Sequence, residues 1–190
     1  MKRQLKFTKI QKLFLATMAA LVLIMIVFYD EASMIKQEKL GFHVLESDEL
    51  FFKNLRQYYY EREWQKEAQF ELFRFEKRIK AIDEPTLNFT IVCNWLHDQA
   101  YILPEIEGVP DSLNYSFCIV TADSLVYNMG LINNEDNLMI AFNTYKALIN
   151  DESRFYLRSE AEWKQVFKTV AQRNAIKQVL KDFFKLTGAL

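Results

Sequence analysis

Two side chains with the chemistry to bind a metal ion, Cys93 and His97, lie four residues apart. That spacing places them on one face of a helix, and a thiolate and an imidazole are two of the four ligands that a structural zinc site needs. The other histidine, His43, has no cysteine near it. The pair is half of a site, so we predict no metal site and expect His97 to be a polar rim residue beside Asp98.

His97 is also the one candidate general base for a Ser or Cys nucleophile. Around it the sequence has no Gly-x-Ser-x-Gly, no His-Glu-x-x-His, no glycine-rich phosphate loop and no repeated Glu-x-x-His pairs. We therefore predict no catalytic residue, no cofactor and no enzymatic activity. A hydrolase that uses His97 is the alternative from the enzyme class.

The two cysteines, Cys93 and Cys118, each lie on the apolar stripe of a predicted helix. In an antiparallel hairpin about the segment 104–110 they would lie at similar heights. In an oxidising compartment, a disulfide between them would stabilise the fold by roughly 3 kcal/mol. The alternative is two reduced thiols that pack as small apolar side chains, and the sequence leaves both open.

The segment 57–64 is chemically the most unusual part of the chain, with three consecutive tyrosines, a tryptophan and an arginine among glutamates. Tyr, Trp and Arg are the residues that most often anchor protein interfaces. This composition favours a partner-binding patch, and packing against the rest of the fold is the alternative. The predicted patch consists of Tyr58, Tyr59, Tyr60, Arg62 and Trp64.

The net charge of −1 combines a basic start with an acidic remainder. Residues 1–12 carry five Lys and Arg and no acid, which leaves 19 Lys and Arg against 25 Asp and Glu afterwards, a net of −6. An acidic body argues against a nucleic-acid partner. The asymmetry indicates a membrane topology, with the basic end on the cytoplasmic side.

Residues 13–29 contain no charge and would span about 26 Å as a helix, the short end of a transmembrane length. A cleaved signal peptide and a buried core helix are the alternatives. The sequence thus predicts a cytoplasmic tail over 1–12, a single-pass signal-anchor over 13–29, a stalk over 30–46 and an extracytoplasmic domain over 47–190. In a bacterium this corresponds to an inner-membrane protein with a periplasmic or extracellular domain.

The chain has only 4 Gly and 3 Pro, which disfavours turn-rich β folds. Apolar residues recur at helical spacings of three and four along most of residues 47–190. We therefore predict an all-α fold, in which the N-terminal transmembrane helix precedes an antiparallel bundle of about five helices. The predicted helices cover 47–82, 85–103, 111–129, 135–149 and 160–186.

The segment 122–150, a predicted helix that ends at Gly130, a short polar turn and an aromatic-bearing helix, resembles uncharacterised bacterial single-pass membrane proteins with extracytoplasmic helical bundles. It covers about a sixth of the chain. The resemblance implies a helical hairpin in a bacterial setting, and no functional residue.

Together these patterns predict a membrane-anchored protein that acts through protein–protein contacts, as an accessory or assembly subunit of a membrane complex. Besides the lipid bilayer, the expected partner is a membrane protein or a second copy of this chain. The alternative is an extracytoplasmic sensor or binding module for a small apolar or lipid-like ligand.

Overall fold

The computed structural model describes residues 35–80, 84–108, 115–121, 124–130, 132–149, 153–159 and 162–190, together with Phe14, Thr17, Met18 and Leu21. The chain divides into two units, residues 35–189 and residues 1–34 with Leu190. Residues 35–189 contain all of the strands and helices named below. The strands are β1 (Tyr60–Gln65), β2 (Phe70–Phe75), β3 (Thr86–Asn94), β4 (Gln99–Glu107), β5 (Tyr115–Val120), β6 (Ser124–Asn128), β7 (Arg154–Ser159) and β8 (Glu162–Val166), and the α-helices are α1 (Glu46–Phe51), α2 (Asn134–Ile149) and α3 (Val170–Leu186).

Helix α1 is the start of a longer helical segment. It continues directly into a π-helical turn, Phe52–Arg56, and a 3-10 turn, Gln57–Tyr59. We refer to residues 46–59 as the first helical segment. It ends where Tyr60 adopts an extended backbone and begins β1.

The strands form two four-stranded antiparallel sheets. In the first, with the order β1-β2-β3-β4, each strand pairs with the next along the chain, and the second has the order β6-β5-β7-β8. Residues 42–44, from the predicted stalk, lie along the outer edge of β4. There the Val44 N–H donates to the Asp98 carbonyl over 2.8 Å, and the Ala100 N–H donates to the Phe42 carbonyl over 2.8 Å.

The predicted all-α bundle is wrong, because the described residues form eight strands and three α-helices. The predicted helix over 47–82 is helical only as far as Tyr59, and β1 and β2 follow. The described residues of the predicted helices over 85–103 and 111–129 lie in β3 to β6 and their turns. The segment 122–150, predicted as a hairpin of two helices, accordingly contains a strand, β6, followed by a helix, α2.

Two of the predicted helices exist. The helix over 135–149 is confirmed as α2, whose buried side includes Leu138, Phe142 and Tyr145. The last predicted helix is correct in its second half, but α3 begins at Val170 and not at residue 160. Its N-terminus is fixed by a capping box, in which the Gln172 N–H donates to the Thr169 hydroxyl and the Thr169 N–H donates to the Gln172 side chain.

The main core lies between the first sheet and the helices. Helix α3 packs on β3 and β4, and α2 packs on β4 and on α3. The side chains of Phe73, Ile91 and Ile102, which face the helices from neighbouring strands, are at most 1% exposed, and so are Phe183 and Phe184 of α3. Each such side chain contributes roughly 1.5–3 kcal/mol through burial of apolar surface.

The predicted transmembrane segment, 13–29, lies for most of its length outside the described residues, and the predicted tail, 1–12, lies outside them entirely. Its described positions, Phe14, Thr17, Met18 and Leu21, are helical. In the part of the chain that the structure describes, no helix has the length and the apolar content needed to cross a membrane. This finding disagrees with the single-pass prediction.

Candidate functional site

The predicted partner-binding patch divides between surface and core. Tyr58 and Tyr59 are 71% and 49% exposed at the end of the first helical segment, and Trp64 is 52% exposed on β1. Tyr60, in contrast, is only 4% exposed, because its ring packs on Phe75 with the centroids 5.4 Å apart. The structure therefore brings Tyr58 and Tyr59 together on the surface and assigns Tyr60 to the core.

Arg62 lies on the helix-facing side of β1, where it supports a buried carboxylate. Its Nε donates to Glu71 Oε1 over 2.8 Å, and the other oxygen of Glu71 accepts from Trp95 Nε1 over 2.8 Å. Glu71 is 8% exposed, so both donors are needed to compensate the removal of its charge from water. The guanidinium of Arg62 thus forms an ion pair within the chain, while the Arg62 side chain remains 52% exposed.

A polar cluster around Asp182 of α3 holds the first helical segment in place. Arg56 donates to both carboxylate oxygens of Asp182, from Nε to Oδ1 over 2.9 Å and from Nη2 to Oδ2 over 2.8 Å. The Tyr60 hydroxyl donates to Oδ2 over 2.7 Å, and Gln178 Nε2 donates to Oδ1 over 2.9 Å. The side chain of Asp182 is 2% exposed, and these four hydrogen bonds satisfy it.

The cluster also changes the protonation behaviour of its members. Burial raises the pKa of the Tyr60 hydroxyl well above its ordinary value, and the charge and hydrogen bond of Asp182 raise it further. Burial alone would lower the pKa of Arg56, but the hydrogen bonds and charge of Asp182 outweigh this effect and raise it. At neutral pH, Arg56 is therefore charged and Tyr60 is a neutral donor.

Besides these buried contacts, the first helical segment presents large apolar side chains to solvent. All of them lie within residues 50–59. Phe52, by contrast, is 1% exposed and packs against Phe73 and Trp95. We call the exposed set the docking face; its members are Leu50 (52% exposed), Phe51 (41%), Leu55 (57%), Tyr58 (71%) and Tyr59 (49%).

Charged residues border the docking face unevenly. The first turn of α1 carries Glu46, Asp48 and Glu49, whereas the π-helical turn carries Lys53 and Arg56. The acids at the N-terminus and the bases further along agree with the helix dipole. The segment is consequently acidic at one end and basic towards the other.

Both cysteines are free and buried, but they lie on different sheets. Cys93 is on β3 and 0% exposed, and Cys118 is on β5 and 8% exposed. Burial raises the pKa of both thiols, in Cys93 well above the ordinary value. Such thiols are protonated at neutral pH and poor nucleophiles.

His97 lies in the turn between β3 and β4 and is exposed. The helical spacing that would have placed it beside Cys93 does not occur, because Cys93 is in a strand and points into the core. Within the described ranges, no three His, Cys, Asp or Glu side chains converge where they could hold a metal ion.

Leu50, Phe51 and Leu55 were missed as site residues by sequence reasoning. The sequence pattern that could have identified them is the spacing of four residues between Phe51, Leu55 and Tyr59, which extends the predicted patch towards the N-terminus. The Asp182 cluster had no local signal, since Arg56 and Asp182 lie 126 positions apart.

Comparisons with protein-family models, with curated proteins and with solved structures find no match to this chain. The resemblance of residues 122–150 to bacterial single-pass proteins therefore stays a prediction.

Proposed function

We propose that this protein acts through protein–protein contacts, as an accessory or assembly subunit, and that the docking face is its contact surface. The observation that carries the proposal is the exposure of five large apolar side chains within ten residues of one helical segment. Contiguous exposed apolar surface of this kind marks interaction sites in soluble domains. Tyrosine is in addition among the residues that contribute most to binding energy.

The segment that carries the docking face is rigidly attached. Arg56 and Tyr60 join it to Asp182 of α3, and Phe52 anchors it in the aromatic core. A surface fixed in advance loses little conformational entropy when it binds. This rigidity supports a role in specific contacts.

A second copy of the chain is the occupant that the charge pattern favours. If two docking faces pack antiparallel, the acidic turn with Glu46 and Asp48 in one copy lies beside the turn with Lys53 in the other. The Lys53 side chain is 37% exposed although it also pairs with Glu49, whereas Arg56 is held by Asp182 within its own chain. Each contact then occurs twice, as in any isologous dimer. The same charges would repel one another if the two segments packed in parallel.

The apolar area is sufficient for such a dimer. With roughly 100 Å² exposed per side chain, the five residues provide about 500 Å² in each copy. Two copies would bury about 1,000 Å², the lower limit of specific interfaces. The expected affinity is accordingly modest.

Analytical ultracentrifugation of the full-length protein, in density-matched mild detergent, tests the proposal. We expect a monomer–dimer equilibrium between about 1 and 100 μM. The variant Leu55→Glu should be monomeric throughout, because it places a charge at the centre of the docking face. The matched control, Leu96→Glu, alters a 71% exposed leucine in the turn between β3 and β4 and should dimerise like wild type.

Two results would contradict the proposal. One is a wild-type protein that is monomeric over the whole range. The other is a dimer that Leu55→Glu leaves intact although the variant is folded, which would locate the interface elsewhere. A thermal unfolding curve for each variant establishes that it is folded, and exposed positions such as Leu55 tolerate substitution within about 0.5 kcal/mol.

A further inference from the structure

A cavity of about 600 Å³ lies between α3 and the residues that follow β2, apart from the docking face. One wall is formed by residues 77–80 and the other by one side of α3, from Ala171 to Gln178. The ring of Phe75 contributes to the lining. This volume is within the range of pockets that hold small organic ligands.

The cavity exists because α3 presents small side chains at this height. Ala171 and Ala175 are four residues apart and so lie on the same side of the helix. One and two turns beyond Ala175, Val179 and Phe183 are buried in the core, with exposures of 2% and 0%. Larger residues at 171 and 175 would occupy the space.

The opposite wall, residues 77–80, is held away from α3 by the sheet. The Asn88 side chain of β3 accepts from the Ile79 N–H over 3.0 Å and donates to the Ile79 carbonyl over 2.7 Å. Arg78 forms an ion pair with Glu61 of β1 over 2.7 Å. Asn88 is 1% exposed, so this attachment is internal and the cavity is formed in advance.

The lining combines cations with an apolar surface. The lining includes Lys77, Arg78 and Lys80, the ring of Phe75 and the amide side chains of Gln172, Asn174 and Gln178. Among the lining residues that the structure describes, none is acidic. Arg78 is neutralised by Glu61, whereas Lys77 and Lys80 are exposed and form no ion pair with any described residue. Two ammonium groups are therefore available at the edge of an apolar space.

We infer that this cavity binds an anionic amphiphile, of which a fatty acid is the simplest example. The apolar chain would lie against Phe75, Ile79 and the two alanines of α3. The carboxylate would lie at the edge, with Lys77 and Lys80. The inference is independent of the proposed dimer, since none of these residues belongs to the docking face.

Dodecanoate is the probe that tests this inference, with dodecanol and butyrate as comparison ligands. The full-length protein is kept in amphipol, so that no detergent micelles compete for the probe, and binding is measured by isothermal titration calorimetry. We expect saturable binding of one dodecanoate per chain. Dodecanol lacks the charge and butyrate lacks the long chain, so each should bind at least ten-fold more weakly.

Two variants locate the ligand. Lys77→Ala combined with Lys80→Ala should weaken dodecanoate binding at least ten-fold and leave dodecanol unaffected, whereas Ala171→Phe should abolish binding of both by filling the cavity. The control, Lys39→Ala combined with Lys66→Ala, removes two exposed cations from other surfaces and should bind like wild type.

Three results would overturn the inference. They are the absence of saturable dodecanoate binding to the wild type, equal affinities for dodecanoate and dodecanol, and unchanged binding in folded Ala171→Phe. Since Ala171 is exposed in the first turn of α3, this substitution is compatible with folding, and circular dichroism checks it. The oligomeric state measured on the same samples tests the dimer separately.

Discussion

Arg56 and Asp182 form a bidentate ion pair, with N–O distances of 2.9 and 2.8 Å. It connects the π-helical turn of the first helical segment to the C-terminal helix, α3. The pair is largely shielded from water, with side-chain exposures of 22% and 2%. It joins the segment that carries the docking face to α3. The orientation of the docking face thus depends on a contact between residues 126 positions apart.

Loss of Arg56 should destabilise the fold strongly. Arg56→Ala leaves the Asp182 carboxylate buried without its countercharge, so we expect the free energy of unfolding to fall by about 3–5 kcal/mol. Urea unfolding followed by tryptophan fluorescence measures the change. Lys168→Ala is the control, because it removes an exposed pair with Glu84 and should cost about 0.5 kcal/mol or less. Equal stabilities of the two variants would contradict the assigned role.

The Tyr60 hydroxyl should make stability depend on pH in the alkaline range. Its pKa is raised in the folded protein above the ordinary value of 10.0, so on raising the pH the unfolded chain loses this proton first. The stabilisation from Tyr60 is complete below about pH 10 and declines above it. Urea unfolding at several pH values should show a constant advantage of wild type over Tyr60→Phe below about pH 10 and a shrinking one above it. A constant difference would be inconsistent with the buried hydroxyl.

The cysteines should be unreactive in the native state and free after unfolding. Both are buried and both have raised pKa values, so iodoacetamide at about pH 7.5 should leave the folded protein unmodified. In urea without reductant, both should be alkylated. Mass spectrometry that instead finds a peptide linking Cys93 to Cys118 would show that the two thiols meet, against the placement on separate sheets.

The low Gly and Pro content misled the fold prediction because other residues form the tight turns. Gln69, Asp98 and Phe167 adopt positive φ angles of 55°, 51° and 54°, in the turns before β2, before β4 and before α3. Glycine usually takes such positions, since a side chain is strained there. A count of glycines therefore underestimated the number of turns.

Strand β3 lies in a segment that was predicted to be a helix, 85–103, and its residues Ile91, Val92 and Cys93 are all apolar and do not alternate with polar ones. In the fold this strand is central and buried on both faces, and all three residues are at most 4% exposed. A strand of that kind gives a continuous apolar run, which periodicity alone does not separate from a helix. Helix α2 buries Leu138, Phe142 and Tyr145 at spacings of four and three, so its helical spacing was informative.

The candidate site was predictable only where its signal is local. Tyr58 and Tyr59 were predicted as partner-binding residues from the composition of the segment 57–64, and they lie on the docking face. Tyr60 is adjacent to them, but the change from helix to strand at that residue turns its side chain into the core. The cavity had no sequence signal, because its two walls are separated by about 90 residues and meet only through the fold.

Disulfide trapping at Leu55 tests the self-pairing of the docking face most directly. Leu55 lies near the middle of the face, so an antiparallel dimer places it beside its own copy close to the twofold axis. We expect Leu55→Cys to form a covalent dimer on mild oxidation, because cysteines within about 7 Å (Cα to Cα) can be bridged. Leu96→Cys should remain monomeric, and the native cysteines are buried. A monomeric Leu55→Cys, or equal cross-linking of both variants, would contradict the account.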